Sequence, residues 1–358
     1  VIIIASLGTA QSAYLFKNLK ARQQATAAAV AVLVSNMVGV TMAFAGFAYW
    51  ALATQNLIYV AVNIGIQWHY SPWRPTLHGI TFAPVRRMFR FSCKVLATTI
   101  VNHVNNNVLN ILLGHYFSPH DTGNFNQAYQ WNMKSYSLVQ SMILQVAQPV
   151  LVGLDDDADR QLRVFRKMVR FTSFVTFPLL FGFALVSREF IVIALTEKWL
   201  ASASLLQLLC ISGAVMPLCA LFNNMVVSKG RSDILLWCTF SLGLLLTLMM
   251  LVIWPWGIHA MVVAFVVINV SWFFVWLYFV RRLTGYGYLM FVRDVLPFAV
   301  AAVAVMSLTY FATQSIQNLW ILLLSRIAIA ATAYYAVMRV AHVAILDECI
   351  DFIRGKMK

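Results

Sequence analysis

The sequence predicts an all-α protein that crosses a membrane many times. Of its 358 residues, 61% are hydrophobic and only 11% are charged, whereas soluble domains average roughly 45–50% and 25%. The apolar residues form runs of about 20, the length at which a helix crosses the hydrocarbon core. A membrane β-barrel would instead show alternating segments of roughly ten residues.

These runs divide the chain into eleven segments, ten of them full-length. The chain begins VIIIASLGT, without Met or a basic region, and this start predicts a fragment that lacks its N-terminal portion rather than a signal peptide. The predicted segments are 1–15, 27–47, 49–67, 91–114, 122–150, 168–187, 203–228, 232–253, 258–280, 292–312 and 318–341.

Basic residues predict the orientation of the segments. Alternating connections place 21 of the 26 Lys and Arg residues on one side and only Arg188 and Lys198 on the other, while Lys94, Lys134 and Arg326 fall inside spans. Because connections rich in Lys and Arg stay in the cytoplasm, the basic side and the C-terminus are predicted to be cytoplasmic. The same rule accounts for the net charge of +14, so no nucleic-acid partner is expected.

A stripe of polar side chains lies in the segment 91–114. His103, Asn106, Asn107 and Asn110 are spaced i, i+3, i+4 and i+7, and therefore share one face of a helix. Such a stripe either binds a neighbouring helix, at about 0.6 kcal/mol per contact, or faces water.

Two more segments carry polar stripes. The stripe of 122–150 includes Lys134 near mid-span, where a lysine costs roughly 2.5–3.5 kcal/mol unless it faces water or a partner. Its members are Gln127, Gln130, Lys134, Ser137, Ser141, Gln145 and Gln148. The stripe of 49–67 consists of Asn56, Tyr59, Asn63 and Gln67. Three stripes and a cation favour a hydrated central cavity that suits a hydroxyl-rich, anionic ligand such as a sugar linked to phosphate.

Several motifs together resemble Wzx-type lipopolysaccharide and exopolysaccharide flippases of the multidrug/oligosaccharidyl-lipid/polysaccharide exporter superfamily. GHYFSPHDTGNFNQAYQW (114–131) and VAQPVL (146–151) resemble the family's eighth helix, with matches at Gly123, Ala128, Tyr129 and Pro149. LTEKWLASASLLQLLCISG (195–213) resembles the G-x-x-W element and the helix after it, with Thr196 in place of the usual Gly. SKGRSD (228–233) resembles the loop between helices ten and eleven.

The resemblance implies a bundle of fourteen helices, with two six-helix lobes around a central cavity and both termini in the cytoplasm. The eleven segments then correspond to helices four to fourteen, the first of them partial. On this basis 1–67 is the remainder of the N-terminal lobe, 68–90 a cytoplasmic or interfacial linker, 91–283 the C-terminal lobe, and 284–358 the last two helices and a cytoplasmic tail.

The resemblance also implies a transporter of the bacterial inner membrane rather than an enzyme. Its cargo would be polyprenyl-diphosphate-linked oligosaccharide, carried to the periplasmic leaflet by alternating access, with membrane lipids and the polysaccharide polymerase machinery as partners. Lys134 and Lys94 are the candidates for the diphosphate, while Arg326 either touches the prenyl phosphate or pairs between helices. The candidates for the sugars are His103, Asn106, Asn107, Asn110, Gln130 and Gln145.

Two other functions are alternatives to this one. An exporter of organic cations from the same superfamily would prefer an acidic cavity, which Lys134 disfavours. A membrane enzyme that processes polysaccharide would usually need a large polar loop or a catalytic cluster, and no outside connection exceeds about 20 residues. Neither the five cysteines nor the aspartates at 155–159 have metal-ligand spacing, and no cofactor is expected. A coupling ion, H⁺ or Na⁺, stays open.

Overall fold

The computed structural model describes residues 2–74, 88–89, 92–93, 95–100, 112–154, 157–341, 343 and 345–346. All regular structure in these ranges is helical, which confirms the all-α prediction. The chain divides into two compact units, Val1–Val85 and Arg86–Lys358. The four predicted domain ranges stay predictions.

The described part of the first unit, residues 2–74, contains four helices: α1 (Ile2–Leu7), α2 (Thr9–Lys17), α3 (Ala21–Phe44) and α4 (Ala48–Tyr70). α3 and α4 form a hairpin whose turn contains Gly46 at φ +85°, a backbone angle that glycine adopts without strain. The buried face of α3 is made only of small residues at every fourth position, namely Ala27, Ala31, Ser35 and Gly39. Small residues let the two backbones approach closely, as is common between membrane helices.

The second unit contains the remaining helices that the structure describes. Helical residues also occur at 95–100 and 112–116. The helices of this unit are α5 (Pro119–Gly153), α6 (Ala158–Leu185), α7 (Ser187–Leu195), α8 (Leu200–Gly213), α9 (Met216–Ser228), α10 (Ser232–Ile253), α11 (Gly257–Thr284), α12 (Tyr288–Ala312) and α13 (Leu319–Val340).

Six helical stretches of the described residues are long and apolar enough to cross a membrane. They are Ala21–Phe44, Ala158–Leu185, Glu197–Ser228, Ser232–Thr284, Tyr288–Ala312 and Leu319–Val340. α4 and α5 are also long enough to cross, but their polar stripes lower the mean hydropathy of these helices. Ser232–Thr284 covers two predicted spans, α10 and α11, joined through the short 3₁₀ helix Trp254–Trp256.

One predicted span proves to be two helices. The segment 203–228 was expected to be continuous, whereas α8 ends at Gly213 and α9 begins at Met216. Pro217 lies in the first turn of α9, where its missing N–H is tolerated, but it could not continue the hydrogen bonds of α8. The first predicted segment, 1–15, is likewise divided into α1 and α2 at Gly8.

A cluster of aromatic rings occupies the centre of the second unit near the ends of α11 and α12. The ring centroids of Phe165 and Phe222 are 5.2 Å apart, and that of Tyr286 lies 5.4 Å from Phe165. All three side chains are fully buried. Edge-to-face packing of this kind adds about 0.5–1.5 kcal/mol per pair beyond the buried area, so the cluster joins α6, α9 and the segment between α11 and α12.

A buried carboxylate joins α6 to α12. Asp294, which is fully buried, accepts hydrogen bonds from Arg166 (Nε to Oδ2, 2.9 Å) and Arg170 (Nε to Oδ1, 2.6 Å). The hydroxyl of Tyr286 donates to the same carboxylate at 3.3 Å. Burial, and then the charge of Asp294, raises the pKa of this hydroxyl above its ordinary value, so the phenol stays protonated and continues to donate.

Candidate functional site

The longest helix, α5, begins at a well-capped N-terminus. The Ser118 hydroxyl accepts a hydrogen bond from the backbone N–H of Asp121 at 3.1 Å, and Pro119 occupies the first turn. Both features favour helix initiation at this point. The helix then extends over 35 residues and contains Pro149 near its end.

Two of the motifs behind the family resemblance contact each other at the start of α5. A Cβ built on Gly123 would lie 3.5 Å from the indole of Trp199. One residue later, Asn124 accepts a hydrogen bond from the Ser202 hydroxyl at 2.8 Å. Ala128 is fully buried. The segment that contains Gly123 and Ala128 and the segment that resembles the G-x-x-W element therefore form one packing contact between α5 and the beginning of α8.

Lys134 lies on an exposed face of α5. Its ammonium nitrogen is 4.7 Å from the ring centroid of Trp131 on the same helix, and its side chain is exposed. Among the described residues, no carboxylate pairs with it. The cation is therefore partly stabilised by the indole ring and keeps its charge available for an anionic ligand.

The neighbouring stripe residues of α5 share this exposed face. Gln130, Ser137 and Ser141 are exposed, and Gln145 is half-buried. The two serine hydroxyls donate to backbone carbonyls of α5 itself, at 3.0 Å and 2.9 Å, so the amide of Gln130 is the adjacent side chain that remains free to bind. The exposed members of the stripe are consequently not enclosed in a dry contact between helices of this unit. Together, Gln130, Lys134, Ser137, Ser141 and Gln145 form the polar edge of α5.

Five predicted contact residues lie outside the described residues. These are Lys94, His103, Asn106, Asn107 and Asn110. Their roles stay predictions based on sequence spacing.

The third stripe, on α4, borders two cavities in the first unit. Asn63 and Gln67 line a cavity of about 540 Å³ together with polar residues of α2 and α3, including Ser12 and Gln24. The amide of Gln67 donates to that of Asn63 at 3.2 Å. Asn56 and Tyr59 line a smaller cavity of about 280 Å³. These side chains therefore border open space rather than tight packing.

Of the two roles predicted for Arg326, contact with the prenyl phosphate or pairing between helices, the structure shows pairing. Its guanidinium lies 2.9 Å from the carboxylate of Glu189 and donates to the backbone carbonyl of Leu185 and the hydroxyl of Thr313. Arg326 and Glu189 are 7% and 2% exposed. A charge this well enclosed is not available for a prenyl phosphate, and it instead joins α13 to α7. Sequence reasoning identified the arginine but missed its partner, because the two residues are far apart in the chain.

Asp157 and His120 both lie at helix starts. The carboxylate of Asp157 caps α6 by accepting from the backbone N–H of Arg160 at 2.9 Å. His120 lies 3.6 Å from its neighbour Asp121 at the start of α5. Within the described ranges, no three His, Cys, Asp or Glu side chains converge to form a metal site.

The long apolar helices define the class of the protein, an all-helical multi-pass membrane protein. The structure is similar to the lipid II flippase MurJ in its inward closed conformation, with a TM-score of 0.63 over 89% of this chain and 68% of that one. The sequence identity is 13%, so this likeness concerns the fold.

The family follows from the sequence itself. A family model described as "Polysaccharide biosynthesis protein" matches residues 1–204, more than half of the chain, and the chain belongs to this family.

Three curated proteins are also similar to the chain. The lipopolysaccharide biosynthesis protein WzxC of Escherichia coli (strain K12) is 26% identical over 204 residues, which are 55% of this chain and 41% of WzxC. The teichuronic acid biosynthesis protein TuaB of Bacillus subtilis (strain 168) is 29% identical over 150 residues, 42% of this chain and 31% of TuaB. An uncharacterized membrane protein in the cps region of Klebsiella pneumoniae is 22% identical over 48% of this chain and 34% of its own length. The matches thus span less than half the length of each relative.

Proposed function

We propose that the protein moves polyprenyl-diphosphate-linked oligosaccharide from the cytoplasmic to the periplasmic leaflet of the bacterial inner membrane, for surface polysaccharide biosynthesis. The family description and the relatives associate the chain with polysaccharide biosynthesis. The fold is shared with a lipid flippase. The observation that carries the proposal is Lys134, which is exposed on the polar edge of the long helix α5 and has no carboxylate partner among the described residues.

Each part of this edge suits one part of the cargo. A diphosphate is costly to take into a medium of low dielectric constant, and a nearby cation offsets that cost. Lys134 supplies the cation, with Lys94 as the second candidate. Amides such as Gln130 and Gln145, with His103, Asn106, Asn107 and Asn110, would bind sugar hydroxyls. The polar edge on one side of α5 then acts as the contact surface in alternating access.

The edge also argues against export of organic cations. Such a carrier needs acidic or neutral aromatic groups at the position where its ligand binds, because like charges repel. Lys134 places a positive charge on the exposed face of α5, and no described carboxylate neutralises it. A transporter of anionic lipid-linked sugars is therefore the better match.

Substitution of Lys134 in the complete protein tests the proposal. We expect Lys134→Ala to reduce surface polysaccharide at least tenfold in cells that depend on this protein, and Lys134→Arg to retain most of it, because a cation is required rather than a particular shape. Surface polysaccharide is quantified by sugar analysis, and the amount of protein by immunoblotting.

Lys198 provides a matched control for this experiment. It is also an exposed lysine beside a tryptophan, with its ammonium nitrogen 5.8 Å from the Trp199 ring centroid, but it lies outside the stripe of α5. Lys198→Ala should leave surface polysaccharide unchanged. Normal polysaccharide in both Lys134 variants would refute the role of this site.

A further inference from the structure

A further cavity lies within the second unit, among α5, α9, α10 and α11. Its volume is about 340 Å³, at the lower end of the roughly 300–1,000 Å³ of small-molecule sites. It therefore has room for about one ring rather than for an oligosaccharide. None of the residues that line it carries a formal charge.

Two polar atoms at this cavity have no protein partner. The side-chain oxygen of Asn223 and the indole N–H of Trp272 are both buried without a hydrogen bond, and both residues line the cavity. An unsatisfied buried polar atom costs about 1–3 kcal/mol, and in native proteins such atoms call for an explanation. Here one acceptor and one donor belong to two side chains that line the same cavity, so a single ligand with hydroxyl groups could satisfy both once these side chains turn toward it.

The remaining lining supplies aromatic faces and further polar groups. Phe265, Trp272 and Trp276 on α11 and Tyr129 on α5 border the cavity, as does Asn269. The amide nitrogen of Asn269 donates to the Phe265 carbonyl at 2.8 Å, so its side-chain oxygen is directed to other partners. Large aromatic surfaces with a few fixed polar groups are typical of ligand sites.

We propose that this cavity binds a single neutral pyranose ring. The C–H face of a pyranose is apolar and can lie against an aromatic ring, while its hydroxyls both donate and accept hydrogen bonds. Asn223 would accept one hydroxyl hydrogen, and Trp272 would donate to another hydroxyl. A charged sugar is disfavoured, because the cavity contains no opposite charge to compensate for desolvation.

The cavity is distinct from the exposed edge that contains Lys134. Tyr129, Met133 and Tyr136 line the cavity from α5, at the spacing i, i+4, i+7 of one helical face. Lys134 follows Met133 by one residue and therefore points about 100° away. The pyranose site thus lies on a separate face of α5 and would recognise a neutral sugar. This proposal rests on the proposed function in one respect only, namely that the sugar comes from the transported oligosaccharide.

Binding to the 358-residue chain tests the proposal without any transport step. The chain is purified in an amine-oxide detergent, because detergents with sugar headgroups would compete. Isothermal titration then compares methyl α-D-glucopyranoside, the galacto and manno analogues, cyclohexanol and glucuronate. We expect at least one methyl pyranoside to bind, with cyclohexanol and glucuronate at least tenfold weaker.

Four variants assign the binding to this cavity. Asn223→Ala and Trp272→Phe each remove one hydrogen-bonding atom and should weaken binding about tenfold, near the upper limit for one neutral hydrogen bond. Asn224→Ala, at the adjacent position, and Trp237→Phe, on the exposed face of α10, should bind as the parent does. Thermal unfolding confirms that each variant is folded.

Several results would overturn the proposal. These are the absence of binding by every pyranoside, equal binding by cyclohexanol, or unchanged affinity in both cavity variants. Preferential binding of glucuronate that Lys134→Ala abolishes would assign the sugar to the exposed edge instead. Lys134→Ala should keep the neutral-sugar affinity, so a failure here is distinguishable from a failure of the proposed transport function.

Discussion

At the scale of single residues, Thr196 has a backbone conformation that threonine rarely adopts. It lies just after α7 at φ +84° and ψ 165°, a region occupied almost only by glycine, which costs other residues about 1–3 kcal/mol. The family resemblance expects glycine at this position. The turn is therefore kept despite the substitution, because the surrounding contacts of α7 and α8 determine it.

This strain predicts that Thr196→Gly stabilises the protein by about 1–2 kcal/mol, since glycine adopts the angle freely but also gains entropy in the unfolded chain. The measurement is equilibrium unfolding in detergent micelles. Thr332→Gly, in the middle of α13, is the matched control and should destabilise by about 0.3–0.5 kcal/mol. Loss of stability in both variants would contradict the assignment of strain to Thr196.

At the scale of helices, buried charges connect elements that lie far apart in the sequence. The carboxylate of Asp294 on α12 forms salt bridges with two arginines of α6, and that of Glu189 on α7 forms a salt bridge with Arg326 of α13. Removal of one partner from a buried pair leaves an uncompensated charge, which costs about 3–5 kcal/mol. These contacts therefore determine which helices are neighbours, in a bundle where apolar packing alone discriminates little.

The effect of Asp294→Asn follows from this arrangement. We expect a loss of about 2–3 kcal/mol in the free energy of unfolding, below the buried-pair value because Arg166 and Arg170 are partly exposed to solvent. Arg293→Gln removes an exposed charge at the adjacent position and should change stability by less than about 0.5 kcal/mol. Equal effects of the two substitutions in a detergent unfolding assay would show that the carboxylate contributes no specific contact.

The helices were predictable from sequence to a greater extent than the sites. Long apolar runs predict membrane helices directly, and their positions were mostly correct. The interruption between Gly213 and Met216 was missed because the apolar run continues through it without a charged residue. The exposed stripe on α5 followed from periodicity. The pairing of Arg326 with Glu189 and the cavity at Trp272 did not, because both depend on which helices are neighbours, and periodicity contains no such information.

At the scale of the whole molecule, the distribution of charge predicts a single orientation in the membrane. The two ends of α11 can be used to test this orientation. Trp256 precedes this helix on the side predicted to be periplasmic, and Arg282 lies in its last turn on the basic side. Both side chains are exposed, and therefore both positions are suitable for labelling.

We expect Trp256→Cys and Arg282→Cys to react from opposite sides of the membrane. In a background without the five native cysteines, a membrane-impermeant maleimide should label position 256 in sealed right-side-out vesicles, and position 282 only after permeabilisation. The expected contrast is at least tenfold. Labelling of position 282 in sealed vesicles, with none at 256, would invert the orientation and the direction of transport proposed above.

The length of α5 has a consequence for where the cargo first meets the protein. A 35-residue helix measures about 52 Å, whereas the hydrocarbon core is about 30 Å thick. If Pro119 lies at the outer border, an upright α5 leaves the hydrocarbon about 20 residues later, within two turns of Lys134. On the predicted orientation, about the last two fifths of the helix then projects into the cytoplasm as an overhang that bears Gln145. A lipid headgroup in the inner leaflet would meet this overhang before it reaches the lysine.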